Sequence, residues 1–372
     1  MNSIGIKFSN RNHRAFTQQL KQEVGAYFKD NNISQKANGA MKWKTVCLLM
    51  MMLVPYALIM SNQLPLLAMW LCTVVMSFGV AGIGFSVTHD ALHGAYSSNP
   101  RVNAALGWVL DVIGGSSYLW KFRHNTMHHT YTNIEGADVD LSVSKLIRLT
   151  PGTPHLGIHR YQSIYAFFAY CFATIQWVLV KDYVSLFRKN MGPYRDIKHA
   201  PHQYVGVIGM KLLYYLNTIV LPLLLLDITL AQYLIGFFTF HLTAGFMLTV
   251  VFQLAHVVEG PCHYQAEEEH VYPDAWMVHQ LQTTANFAPS NRPLSWFIGG
   301  LNYQIEHHLF PRICSIHYPK LSPIVKRVAE EHGIPYYQHA SLRAAVASHY
   351  RMLRLFGDPK TTLDHFATQA AK

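Results

Sequence analysis

The chain contains four long apolar runs that can cross a membrane, and polar segments lie between and around them. These runs cover residues 44–60, 64–88, 207–227 and 231–257. Each supplies about 17–25 mostly apolar residues, enough to cross a bilayer core roughly 30 Å thick. A short polar turn from Ser61 to Gln63 joins the first pair, and the second pair is joined around Asp227. The pattern therefore predicts four transmembrane helices in two hairpins.

Two further apolar segments, 102–119 and 164–180, are ambiguous by hydropathy alone. Asp111 and the Gly114–Gly115 pair argue against a simple span in the first segment. A single crossing by either segment would also separate histidine clusters onto opposite sides of the membrane. On the assumption that those clusters meet, we interpret both segments as interfacial or re-entrant helices.

Basic residues are absent from both hairpin turns. They gather instead in the N-terminal segment, in the stretch 121–200 and in the C-terminal part. Because cytoplasmic loops of membrane proteins carry such an excess, we expect both termini and the central loop on the cytoplasmic side. Lys211 lies about one turn inside the third run, and we expect it to snorkel to that basic side.

The predicted fold is an all-α integral membrane protein with interfacial helices and a cytoplasmic histidine-rich cap. Residues 1–44 form a cytoplasmic N-terminal segment with an amphipathic helix over 16–28. Residues 45–258 contain the transmembrane hairpins and the central cytoplasmic loop. Residues 259–372 form the cap, with a helix around 320–332 and a polar tail.

Composition supports membrane insertion. Only 13% of the residues are charged, about half of the roughly one quarter found in soluble domains. The net charge of +10 fits anionic lipid rather than nucleic acid, because the basic residues flank apolar runs. The five cysteines show no metal or redox spacing, which is typical of thiols in a reducing compartment.

Histidines form three clusters, in the stretches THDALHG, HNTMHH and NYQIEHHLF. The clusters contain His89, His93, His124, His128, His129, His307 and His308. Neutral imidazole is the commonest protein metal ligand, and residues four apart share one helical face. The adjacent pair in the third cluster cannot share a face closely, so we expect it to serve two metals or two sides of one.

His256, at the end of the last run, brings the candidate ligand set to eight histidines. Gln304, which begins the third cluster, is a possible weak or water-mediated ligand. This set is too large for one ion of ordinary coordination number, so two metals are implied. Imidazole-rich coordination suits iron or zinc, and residue spacing does not distinguish them.

Several polar residues near the clusters are candidates to hold the outer imidazole N–H groups. Asp138 and Asp140 are the preferred ones, because they follow the second cluster directly, and Gln253 lies one turn before His256. The other acids near the clusters are Asp90, Glu135 and Glu306.

His241 lies mid-span and could line a substrate passage, although we expect it to pack between helices.

The three clusters resemble the histidine boxes of the membrane-bound fatty acid desaturases. HDALH (89–93), HNTMHH (124–129) and QIEHH (304–308) match them in order, type and rough separation. The likeness covers about residues 40–330. Glutamine at the start of the third box, within GGLNYQIEHHLFP, is similar to the front-end and bacterial acyl-CoA or acyl-lipid branch.

This resemblance implies two iron ions that use dioxygen and two electrons to place a cis double bond in an acyl chain. The eight histidines would then be catalytic as metal ligands, and the acyl chain would enter an apolar passage between the spans. The substrate would be a fatty acyl-CoA or an acyl-lipid of the membrane. The position of the double bond and the chain length stay open.

The electron donor is expected to be a separate protein. Many front-end members contain a His-Pro-Gly-Gly haem-binding motif, which is absent from these 372 residues. The resemblance therefore implies a ferredoxin or cytochrome as donor, docked on the basic cytoplasmic surface. This arrangement favours a bacterial inner membrane.

Two alternatives stay open at this point. A related di-iron hydroxylase or carotenoid ketolase would share the boxes and the metals but insert oxygen. A metal transporter would instead place ionisable ligands at mid-membrane depth along a pathway. The clusters lie at the ends of spans and in polar segments, which disfavours the transporter.

Overall fold

The computed structural model describes residues 2–3, 5–9, 12–141, 144–266 and 270–363, and this part of the chain is mostly helical. The first helices are α1 (Arg14–Asp30), α2 (Gly39–Met60), α3 (Leu66–Gly82), α4 (His89–Leu92), α5 (Pro100–Val112) and α6 (Ser117–Trp120). Next come α7 (Gln162–Tyr170), α8 (Ala173–Gln176), α9 (Asp182–Phe187), α10 (Pro201–Tyr215), α11 (Leu221–Leu225) and α12 (Leu230–His256). The C-terminal helices are α13 (Trp276–Gln282), α14 (Arg292–Phe297), α15 (Gln304–Leu309), α16 (Tyr318–Glu331) and α17 (Leu342–Phe356).

Within the described residues, four helical stretches are long and apolar enough to cross a membrane. They are Gly39–Met60, Leu66–Leu92, Pro201–Leu225 and Leu230–His256. The second and third each contain a π-helical turn, Ile83–Thr88 and Leu216–Val220, that continues the helix. Leu67 is 69% exposed and Leu224 74% exposed, as expected for side chains that contact lipid. These four stretches coincide with the four apolar runs of the sequence.

Side-chain caps explain where two of these helices begin. The side chain of Asn38 accepts a hydrogen bond from the backbone N–H of Met41, which starts α2. Thr229 and Gln232 form a reciprocal capping box at the start of α12. At the same end of the molecule, Asn62 donates to Asp227, so the turn after α2 contacts the turn before α12.

Neither ambiguous segment forms a straight span. The first contains α5, whose 13 residues are only about 20 Å long. The second falls in the helix pair Gly157–Tyr170 and Ala173–Phe187, which is bent by 74° and would count as a fifth span only if both halves were taken together. Both observations fit segments that do not cross the membrane in a single pass.

Gly114 allows the chain to turn sharply after α5. Its φ of +97° lies in the region that favours glycine. A Cβ atom there would lie 2.9 Å from the ring of Tyr214 and 2.9 Å from Val178. The turn therefore brings the end of α5 against α10, which belongs to the third of the four long helical stretches.

Lys211 does not snorkel to the basic side, so that expectation was wrong. The side chain is 1% exposed, and its ammonium group donates to Asp182 at 2.8 Å and to the carbonyl oxygen of Gly114 at 2.6 Å. Asp182 also lies 3.4 Å from the guanidinium of Arg123. A charge buried near a membrane is stable when it is paired in this way, and the sequence contained no sign of the partner.

The predicted helices outside the membrane part are present, as α1 and α16. Phe16, Leu20, Val24 and Phe28 follow one face of α1 and share a buried apolar core with α16 and its neighbours. Burying a side chain of this size contributes roughly 1.5–3 kcal/mol. The predicted polar tail is described only as far as residue 363, and the rest lies outside the described residues.

The prediction of an all-α chain was incomplete, because short strands also occur in the described residues. They are β1 (Asn2–Ser3), β2 (Lys7–Phe8), β3 (Ile134–Glu135), β4 (Tyr194–Arg195), β5 (Tyr264–Gln265), β6 (Val271–Tyr272), β7 (Ala285–Phe287) and β8 (Tyr337–His339). β1 pairs with β4 antiparallel, and β2–β6, β3–β5 and β7–β8 are parallel pairs. Strands of two or three residues leave no alternating pattern in a sequence, so periodicity could not reveal them.

Candidate metal centre

The eight candidate histidines come together in one buried cluster at one end of the long helices, and each is at most 9% exposed. The segments that supply them are the end of the second span, the π-helical turn Lys121–His128 with the residue after it, the last residue of α12, and α15. The cluster thus joins parts of the chain that are more than 200 residues apart.

The imidazoles form two groups, each compact enough for one metal ion. The first group is His89, His93, His124 and His307, and the second is His128, His256 and His308. Within each group the candidate ligand nitrogens, one per residue, lie within 4.8 Å of one another. His129 forms a third compact set with His307 of the first group and His308 of the second, and its ring centroid lies 4.6 Å and 4.4 Å from theirs. The adjacent histidines of the third cluster therefore belong to different groups and are linked through His129.

A π-helical turn places the second histidine cluster. The backbone N–H of His129 donates to the carbonyl oxygen of His124 at 3.0 Å, and the Nε2 atoms of these two rings lie 3.2 Å apart. The wider turn brings residues four and five apart onto one side, so His128 and His129 both lie beside His124. Sequence reasoning assumed ordinary helical spacing and missed this turn, although π-turns are frequent at functional sites.

Seven of the eight rings have a buried nitrogen without a hydrogen-bond partner in the described part of the chain. These atoms are Nδ1 of His89 and His129 and Nε2 of His93, His128, His256, His307 and His308. Buried polar atoms are nearly always partnered, so seven such atoms in one cluster need an explanation. A neutral imidazole binds a metal through the nitrogen that carries a free lone pair. The unpartnered nitrogens of this cluster are therefore suited to bind metal ions.

Two carboxylates hold the opposite side of rings in the second cluster. Nδ1 of His128 lies 2.8 Å from Oδ2 of Asp138, and Nδ1 of His124 lies 3.3 Å from Oδ2 of Asp140. Lys181 lies 3.3 Å from the other oxygen of Asp140. Such contacts orient an imidazole and direct its other nitrogen toward a metal.

Other residues that hold outer nitrogens were not found from the sequence. Nδ1 of His308 lies 2.9 Å from Oε1 of Gln280, and that oxygen also accepts a hydrogen bond from Thr132. Nδ1 of His307 lies 3.3 Å from the hydroxyl of Tyr318. These partners lie 11 to 28 residues from their histidines along the chain, and no short motif connects them.

Burial keeps most of these imidazoles neutral. Desolvation and neighbouring imidazoles lower the pKa of His93, His129, His307 and His308 well below its usual value. Burial lowers the pKa of His124 to about 4. Burial also opposes the charged form of His128, but Asp138 outweighs it and raises the pKa of that ring. Neutral rings are the form that coordinates metals.

Three acids that the sequence offered as partners of imidazoles have other partners. Asp90 accepts hydrogen bonds from the backbone N–H and hydroxyl of Ser315, at 3.0 and 2.9 Å, and lies 3.1 Å from Sγ of Cys314. Glu135 accepts from Thr153 at 3.0 Å. Both carboxylates therefore contact residues of the surrounding fold rather than the imidazoles.

The third of these acids, Glu306, lies beside the third cluster but points away from it. It accepts hydrogen bonds from Asn286 at 2.8 Å and from Tyr336 at 2.7 Å. Burial raises the pKa of Glu306 to about 7. This carboxyl group ties α15 to β7 and to the segment before β8.

Gln253 does not hold an imidazole within the described residues, in contrast to its predicted role. Both polar atoms of its side chain are buried without a hydrogen-bond partner there. Gln253 and Gln304 instead line a cavity that begins at the first histidine group. One turn of α12 separates Gln253 from His256 along the axis, but the amide lies against the cavity.

This cavity extends from the histidines into the interior between the long helices. Its wall is largely apolar and includes Val80, Leu110, Leu248 and Phe252, and its far end is lined by Phe240 and His241. At the near end, the indole ring of Trp120 lies 4.4 Å from the ring of His124. A largely apolar cavity with a few polar groups is suited to a long apolar ligand.

The chain is similar to known proteins over most of its length. The family model for fatty acid desaturases matches residues 64–340. The chain is 39% identical to the sn-1 linoleoyl-lipid 6-desaturase of Synechocystis sp., over 95% of this chain and 98% of that protein. It is 37% identical to the sn-1 linoleoyl-lipid 6-desaturase of Arthrospira platensis, over 91% and 92%. It is also 30% identical to an acyl-lipid (8-3)-desaturase of Physcomitrium patens, over 96% and 75%.

Proposed function

Since this chain belongs to the fatty acid desaturase family, we propose that it is a dioxygen-dependent acyl-lipid desaturase that forms a cis double bond at a di-iron centre. The prediction of a desaturase from the histidine clusters is confirmed. Relatives named as desaturases of acyl-lipids favour an acyl-lipid over an acyl-CoA substrate. They also favour desaturation over the hydroxylase and ketolase alternatives.

The eight histidines are proposed to hold two iron ions, one for each group. His129 links the two groups, and Gln304, which lines the cavity at the first group, would be a weak or water-mediated ligand. Asp138 and Asp140 orient His128 and His124 through their outer nitrogens. Bound iron would supply the redox chemistry that activates dioxygen.

The reaction removes two hydrogen atoms from adjacent methylenes of the acyl chain. With two electrons from a donor and two protons, these reduce one dioxygen to two waters, so atoms and electrons balance. The apolar wall of the cavity would hold the acyl chain and exclude water from the reacting carbons. Trp120 and Gln304 would border the chain where it passes the first histidine group.

The membrane arrangement proposed here follows the basic residues. The four spans form two hairpins, and the histidines, the C-terminal cap and both termini lie on the cytoplasmic side. A bacterial inner membrane fits this arrangement. A separate ferredoxin or cytochrome would deliver electrons to that basic surface.

One observation carries the proposal: seven buried imidazole nitrogens without partners in the described residues converge in one cluster beside a long apolar cavity, six of them in the two groups and one on His129. The test is fatty acid profiling by gas chromatography–mass spectrometry of a host that expresses the protein. We expect a new unsaturated chain with the intact protein and none with the His307→Ala/His308→Ala variant. His202→Ala, which alters an exposed histidine, is the matched control and should keep the product.

Other products would decide against desaturation. Hydroxylated or oxo lipids would favour the hydroxylase or ketolase alternative. An unchanged lipid profile, with iron bound and a competent electron donor present, would count against an acyl substrate.

A further inference from the structure

A second apolar cavity lies beyond the first, at the end of the spans opposite to the histidine cluster. Its wall includes Tyr56, Met60, Leu66 and Trp70. Phe240 and His241 line both cavities, so these two residues form a partition between them. His241 and His256 are fifteen positions apart on α12, a rise of about 22 Å. The partition thus stands well below the histidine cluster.

Hydrogen bonds from both sides fix the ring of His241. Nδ1 lies 3.1 Å from the hydroxyl of Thr174, which lines the first cavity, and Nε2 lies 2.9 Å from the hydroxyl of Tyr214, which lines the second. Thr174 donates its only hydroxyl proton to the carbonyl oxygen of His241 at 2.8 Å. Nδ1 of His241 must then donate to Thr174, and in a neutral ring Nε2 accepts from the hydroxyl of Tyr214. Both ring nitrogens of His241 therefore have hydrogen-bond partners.

These contacts connect three helical elements, α8, α10 and α12, in the membrane interior. A polar side chain at this depth is costly unless it is fully satisfied, and it is commonly functional. The side chain of Phe240 cannot form hydrogen bonds and makes only ring and van der Waals contacts, in contrast to that of His241. The centroid of the Phe240 ring lies 5.2 Å from that of His241. The partition therefore has a hydrogen-bonded polar part, His241, and an apolar part without hydrogen bonds, Phe240.

We propose that His241, Tyr214 and Phe240 end the acyl passage and select acyl chains by length. This inference rests on the proposed desaturase function. An acyl chain whose methyl end reaches the partition fills the first cavity. A longer chain must displace Phe240 and enter the second cavity, while the hydrogen-bonded ring of His241 keeps its position.

The test compares chain-length preference among variants of residue 240. Full-length protein is expressed in a host supplied with fatty acids of increasing length, and the desaturated fraction of each is measured. Phe240→Ala should raise the conversion of longer chains relative to the preferred one, by about 10-fold for each additional methylene that is accommodated. Phe240→Trp should shift the preference toward shorter chains.

Phe238→Ala is the matched control, because Phe238 lies on the same helix and is 41% exposed toward the outside. Its chain-length profile should equal that of the unaltered protein. If the alanine variant is inactive, Phe240→Leu must show the same shift toward longer chains. Unchanged profiles in the active variants of residue 240, beside an active unaltered protein, would overturn the partition. A lack of desaturation by the unaltered protein would instead overturn the proposed function.

Discussion

The histidine cluster and the His241 partition show two ways to bury an imidazole. His241 is 2% exposed and His308 is fully buried, so burial does not distinguish them. Both nitrogens of His241 are hydrogen-bonded, whereas Nε2 of His308 has no partner in the described residues. The comparison teaches that burial alone does not indicate a metal ligand, whereas unpartnered ring nitrogens that converge from several histidines do.

The two regions also differ in the groups that hold the rings. Carboxylates contact His124 and His128, whereas His241 is held by two neutral hydroxyl groups. A carboxylate that holds one imidazole nitrogen makes the other a stronger ligand, whereas in His241 the hydroxyls occupy both nitrogens. The first region is therefore suited to bind cations and the second to shape a passage.

The largest expected effect comes from removing a candidate ligand. His308→Ala should abolish desaturation and lower the iron content, because a nitrogen of the second group is lost. Elemental analysis of purified protein measures the iron, and fatty acid profiling measures the product. His241→Gln should keep the full iron content. An equal loss of iron in both variants would show that His241 and the histidine cluster do not differ in metal binding.

The next largest effect concerns the buried charges of Lys211, Asp182 and Arg123. Lys211→Leu leaves Asp182 with Arg123 as its remaining cationic partner, and breaking a buried pair costs about 3–5 kcal/mol. Thermal unfolding in detergent should show a clear loss of stability. Lys326→Gln, which removes an exposed pair with Glu330, should cause no measurable change. Similar midpoints for the two variants would contradict the role given to the buried pair.

A smaller effect is expected from the carboxylate that holds His128. Asp138→Asn keeps the shape of the side chain but removes its charge, and such changes commonly cost about 10–100-fold in metal affinity or activity. Competition with a chelator measures iron affinity separately from turnover. Asp30→Asn, at an exposed position in α1, is the control. Unaltered iron affinity in Asp138→Asn would mean that the carboxylate only supports the fold.

The smallest effect should follow the loss of one neutral hydroxyl at the partition. Tyr214→Phe leaves Nε2 of His241 without its donor, which should cost about 1 kcal/mol of stability. Thermal unfolding checks this cost, and iron content should stay at the level of the unaltered protein. Tyr161→Phe, at a residue 57% exposed, should leave stability unchanged. A loss of iron in Tyr214→Phe would show that the two regions are not independent.

The span positions were predictable because they depend on local composition. Runs of about 20 apolar residues have few alternatives in a membrane protein, and the observed spans differ from the predicted ones by only a few residues at most ends. The motifs HDALH, HNTMHH and QIEHH were likewise sufficient to indicate the family. The helix predicted around 320–332 also follows from local pattern, and it is present as α16.

The failed predictions share a physical cause, since each depended on tertiary packing that neighbouring residues in the sequence do not determine. The snorkelling of Lys211 was a reasonable expectation for an unpaired charge, but Asp182 lies 29 residues away in sequence and meets it in the fold. Gln253 was expected to support His256, yet the packing of α12 places its amide at the cavity. Asp90 and Glu306 are next to histidines in sequence but turn toward other elements.

The sequence by itself determined the spans, the eight histidines and the family, because hydrophobic length and short motifs are properties of neighbouring residues. Tertiary structure alone decided how those histidines divide into two groups and which nitrogens are left without partners. It also decided that His241 stands between two cavities. Hydrogen bonds such as those from His241 to Thr174 and Tyr214 join residues 67 and 27 positions apart, and only the folded chain brings such residues together.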